Sequence, residues 1–119
     1  MSAKIIPFEQ KPDNKNKRKG FAPVAYHRTE LGLIMNVYGQ MVSKGHWKDY
    51  AIDMLRTEAI FSVYRRASET PLYQIIKRPA LRNKQGEYSV VAPGGLILKR
   101  GHDLKSVLRV FDKQRFTAH

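Results

Sequence analysis

Between Trp47 and Gly101 the apolar residues change to a period of two, in the runs DYAIDML, EAIFSVYRR, PLYQIIKR, EYSVV and LILKR. A strand throws alternate side chains to opposite faces, so each run reads as a short strand. The segments between them, RTE, ASETP, PALRNKQG and APGG, are rich in breakers. Short strands joined by short turns are the signature of an antiparallel meander. A long helix across residues 48–66 is the competing reading, because DYAIDMLRTEAIF contains good helix formers.

Helical spacing flanks this region on both sides. In residues 29–45, Leu31, Ile34, Met35, Tyr38 and Val42 recur at helical spacing. Thr29 is the expected cap and Gly45 the expected stop. Leu33 and Val37 widen the apolar face, so this helix is expected to be largely buried. Gly32 and Gly39 weaken it unless they serve close packing. In HDLKSVLRVFDKQ, Asp103 is the expected cap of a second helix, with Leu104, Val107, Leu108 and Phe111 on one face.

The expected fold class is therefore α+β: an N-terminal helix, a four- to five-stranded antiparallel meander and a C-terminal helix, both helices on one sheet face. Tyr50, Ile52, Phe61, Val63, Ile75, Tyr88, Val90, Leu96 and Leu98 are expected beneath the helices. The other face then carries Ile60, Tyr64, Ile76, Val91 and Ile97, too apolar for a bare surface, which points to an oligomer or a partner.

Charge narrows the partners. Of 119 residues, 22 are Lys or Arg and 10 are Asp or Glu, a net charge of +12. Residues 1–20 form an expected disordered basic tail, leaving residues 21–119 as a single domain whose net charge is still +8. Such a surplus attracts polyanions, so DNA or RNA is an expected partner class. With no cysteine there is no disulfide, thiolate nucleophile or Cys-ligated zinc. No apolar run approaches a membrane span, and the N-terminus lacks a signal-peptide core. The expectation is a cytoplasmic protein without a membrane partner.

No motif specifies catalysis. Gly94 and Gly95 lie between two strands and suit a hairpin turn with positive φ. Neither a Walker loop nor a dinucleotide loop is present. His102 and Asp103 are sequence neighbours, which is not a dyad geometry, and Asp103 is better employed as a cap. His27, His46 and His119 show no metal-ligand spacing. Asp49 and Asp53 share a face, with ion pairing the expected role. Trp47 is expected to pack over the end of the first helix. No catalytic residue, metal ligand or cofactor is assigned, and an enzyme is the least favoured class.

Basic dipeptides close three of the runs: Arg65-Arg66, Lys77-Arg78 and Lys99-Arg100. In a meander the last two share an end of the sheet. Lys77, Arg78, Lys99 and Arg100, with Arg82 and Lys84 in the loop nearby, are therefore the candidate nucleic-acid-binding patch. Tyr64, Tyr73 and Tyr88 are candidate base-stacking residues, with packing in the sheet the plainer role.

The runs FSVYRRASE, PLY, GGLILKRGHDL and VLRVFD carry a resemblance to an alphaproteobacterial family, domain of unknown function 2794, over about residues 25–113. The resemblance implies a small bacterial cytoplasmic protein and no assigned activity. Two functions follow as expectations: a non-enzymatic nucleic-acid-binding or regulatory accessory protein, or a protein-interaction module that forms a homo-oligomer through the second sheet face.

Overall fold

In the computed structural model, residues 22–66 and 70–115 are described. The expected tail and its disorder lie outside them. The element order is α1 (Arg28–Ser43), β1 (Asp49–Met54), β2 (Ala59–Tyr64), β3 (Tyr73–Lys77), β4 (Tyr88–Ala92), β5 (Leu96–Gly101) and α2 (Leu104–Val107). The 3-10 turns Pro79–Leu81, Pro93–Gly95 and Leu108–Phe111 and α3 (Asp112–Arg115) complete it. The strands form one antiparallel sheet in sequence order, as the period of two requires. A helix across residues 48–66 is excluded.

Register assigns the paired strand residues to a face, because directly paired residues point the same way. The row Ile52–Phe61–Ile75–Val90–Lys99 lies on the helix side. So does the row Met54–Ala59–Lys77–Tyr88–Gly101. Phe61, Val63, Ile75 and Val90 join Ile34, Val37 and Met41 of α1 and Leu104, Val107, Leu108 and Phe111 in one core. Trp47 is buried there as expected, edge-on to Phe111 at 5.0 Å between ring centres.

Local chemistry sets the helix ends. His27 rather than Thr29 is the N-cap of α1, because Glu30, three residues on, accepts the His27 amide at 2.7 Å. The C-terminal end is a Schellman motif: Gly45 has φ +79°, His46 N–H donates to Met41 O and Gly45 N–H to Val42 O, both at 2.9 Å. Contrary to expectation, α1 is only half-buried, with Leu33 and Val42 exposed. A Cβ at Gly32 or Gly39 would meet nothing within 4 Å, so neither glycine serves close packing among the described residues. Asp103 caps α2 as expected, accepting from Ser106 N–H at 3.1 Å and the Ser106 hydroxyl at 2.8 Å.

β5 departs from the expected alternation. A bulge between Val90 and Val91 pairs Val90 with Lys99 but Val91 with Ile97, so Leu98 has no partner of its own. Leu96 and Leu98, expected in the core, are instead 62% and 38% exposed at the sheet edge. The β4–β5 turn uses Gly94 and Gly95 at φ +83° and +82°, as expected.

Candidate functional site

The basic residues gathered by sequence at one end of the sheet divide into different environments. Lys77 ends the inward-facing series Tyr73, Ile75, Lys77, and its side chain is only 5% exposed. Its ammonium donates to Glu30 Oε1 at 2.8 Å and to Ala25 O at 2.9 Å. The other Glu30 oxygen accepts the Tyr88 hydroxyl. Burial alone would raise the Glu30 carboxyl, but hydrogen bonds from Lys77, Tyr88 and the His27 amide, with the Lys77 charge, hold it below the ordinary carboxylate value. The Tyr88 hydroxyl is raised by burial first, then by its bond to Glu30. This cluster pins the start of α1 to β3 and β4. Beside it, the buried Tyr26 hydroxyl lies 2.6 Å from Ile75 O and 3.1 Å from Ala59 O.

Arg78, Arg82, Lys84 and Lys99 stay at the surface, and Arg100 is half-buried. Arg78 donates to Glu58 from Nε at 3.0 Å, and Arg82 to Glu87 from Nη2 at 3.1 Å. Lys84 and Lys99 are exposed and make no ion pair among the described residues. The pleat places Lys99 on the helix side, paired with Val90, and Arg100 on the other side, paired with Ser89. Arg100 Nη1 donates to Gln85, while its Nε is buried without a partner among the described residues. The two dipeptides thus share an end but not a surface. Of the candidate stacking residues, Tyr73 packs edge-on to Phe111 and Tyr88 is engaged with Glu30. Tyr64 alone of the three points away from the helices, paired with Asp49.

That second face is the more coherent surface. It consists of two cross-strand rows, Ala51–Ser62–Gln74–Val91–Ile97 and Asp53–Ile60–Ile76–Ser89–Arg100. Among the described residues neither helix lies on it. Ile60, Ile76 and Val91 are half-buried, Ser62 and Ser89 are buried, and Ile97 is 44% exposed. The ion pairing expected of Asp49 and Asp53 is not seen among the described residues, and both carboxylates are exposed on β1. A cross-strand hydrogen bond from Gln74 Nε2 to Ser62 Oγ, 3.1 Å, fixes the polar centre of the face.

No group of three or more potential metal ligands occurs among the described residues. No described helix is long and apolar enough to cross a membrane. The architecture defines a class: an α+β domain with helices on one side of a five-stranded antiparallel meander and, among the described residues, no helix on the other. The family model described as protein of unknown function (DUF2794) matches residues 24–108, and the chain belongs to that family. No curated protein and no solved structure matches it.

Proposed function

We propose that the protein is a non-enzymatic binding module whose working surface is the second sheet face. The observation that supports this reading is the band Ile60, Ile76, Val91 and Ile97, which crosses β2 to β5 with none of the described helices over it. Covering such a band contributes about 25 cal/mol per Å² of apolar area. Substituting Ile76→Lys places a charge at the centre of the band without touching the helix-side core. Size-exclusion elution of the full chain in cell extract tests it. Elution ahead of the free chain, lost in the variant, supports the reading; unchanged elution of the variant refutes it.

Polyanion binding is the second reading, favoured by the net charge of +12 and by the exposed Lys84 and Lys99, which make no ion pair among the described residues. Its contact set is Arg78, Arg82, Lys84, Lys99 and Arg100. Lys77 drops out because its ammonium is already engaged by Glu30 and Ala25. Each phosphate contact steepens the salt dependence by about 0.7 for single strands and about 0.9 for duplex. Lys99→Gln with Arg100→Gln should therefore flatten the log–log slope by about 1.4 to 1.8, read by fluorescence anisotropy between about 50 and 200 mM salt. Absence of wild-type binding at the lower salt concentration refutes this reading. The lack of cysteine fits a reducing compartment such as the cytoplasm.

A further inference from the structure

Resting on the first of these readings, we infer that the occupant of the second sheet face is a second copy of the same chain, stacked face to face about a two-fold axis parallel to β3. The basis is the self-complementarity of one cross-strand row. Asp53, Ile60, Ile76, Ser89 and Arg100 contribute one residue from each strand, in order across the sheet. An acid stands at one end, a base at the other and an isoleucine in the middle. Four strand spacings separate the ends by about 19 Å. Rotation about an axis over Ile76 sets Ile76 on Ile76 and brings each Asp53 opposite the other copy's Arg100. Stacked sheets lie about 10 Å apart, a gap that an aspartate and an arginine side chain span together once Arg100 exchanges its bond to Gln85 for the facing Asp53.

Two further features favour this arrangement over other pairings. First, copies carrying +12 each repel one another, so they meet best where positive charge is scarce. Within the strands the second face carries Asp49 and Asp53 against the single cation Arg100, and neither Asp53 nor Arg100 has an ion-pair partner among the described residues. Second, edge-to-edge pairing is discouraged at both ends of the sheet. The β5 edge has the bulge and Lys99, while the β1 edge carries two aspartates. A closed two-fold pair also uses one patch on both copies and stops at two.

The test is charge reversal with rescue, read by sedimentation equilibrium of the full chain. Wild type should sediment at twice the 13.7 kDa chain mass. Asp53→Arg and Arg100→Asp, each alone, turn two attractions into repulsions and should weaken the dimer by about a hundredfold or more. The double substitution restores opposite signs and should restore the dimer. Asp53 is exposed and unpaired among the described residues, so its reversal spares the fold; a thermal melt followed through Trp47 confirms this. A monomeric wild type overturns the inference. If Ile76→Lys still changes elution in extract, the binding reading survives and the cover is another protein. A dimer indifferent to the single reversals also overturns the inference, because the copies then meet elsewhere.

Discussion

Replacing Lys77 by methionine tests whether this cation belongs to the core or to the surface. Its ammonium is 2.8 Å from Glu30 Oε1, with side-chain exposures of 5% and 10% for the two partners. Methionine keeps the stem's packing and removes only the charge and three donors. The Glu30 carboxylate is then left buried, retaining the Tyr88 hydroxyl and the His27 amide but no counter-charge. Breaking a buried pair in this way costs about 3–5 kcal/mol. Against a total stability of about 5–15 kcal/mol, this is a large fraction. At about 4 °C per kcal/mol the melting temperature should fall by roughly 12 °C or more. Thermal and urea unfolding, followed by fluorescence of the single, buried Trp47 and by circular dichroism, provides the measurement. Adding Glu30→Gln should recover part of the loss, since a neutral amide needs no counter-ion. A loss below about 1 kcal/mol, the range of an exposed pair, would refute the reasoning and return Lys77 to the surface set.

Three further outcomes follow from the same structure. Because the Glu30 carboxyl titrates below its unfolded value of about 4.3, its contribution is fully present above that pH and is lost as pH falls through the folded-state value. The stability gap between wild type and Glu30→Gln should therefore narrow on acidification below about pH 4.3, and a gap that widens would contradict the sign. Gly86→Ala should destabilise by about 2 kcal/mol or more, because φ is +111° and a Cβ there would lie 2.5–2.7 Å from the backbone of Gly101. Gly94→Ala, at φ +83° with nothing within 4 Å, should cost about 1–2 kcal/mol; equal melting temperatures for the two variants would dismiss the steric clash.

The sheet was legible because alternation and turn residues report strands directly. Tyr50, Ile52, Phe61, Val63, Ile75, Tyr88 and Val90 all have the expected parity. What alternation could not show was the bulge, which depends on pairing across strands and leaves Leu98 unpaired, nor that Leu96, paired with Ala92 on the helix side, lies 62% exposed at the sheet edge. The candidate patch was read by position along the strands, and the two dipeptides do share one end of the sheet. It ignored the pleat, which sends Lys99 and Arg100 to opposite sides. A signal for Lys77 was present: it continues the inward series of Tyr73 and Ile75, and an inward lysine needs a carboxylate, here Glu30 in the first turn of α1. The C-terminal helix kept its cap and apolar face but breaks into a 3-10 turn at Leu108–Phe111, for which the spacing of its apolar residues gave no warning.

The central claim is that the second sheet face is covered when the protein works. Methyl spectra of the full chain, recorded in dilute buffer, at high concentration and in cell extract with a soluble paramagnetic agent, test it most directly. The methyls of Ile60, Ile76, Val91 and Ile97 should be broadened by the agent in dilute buffer and shielded in at least one of the other two conditions. Those of the exposed Leu33 and Val42 on α1 should remain broadened throughout. Broadening of the four sheet-face residues that stays as strong in all three conditions would contradict the claim.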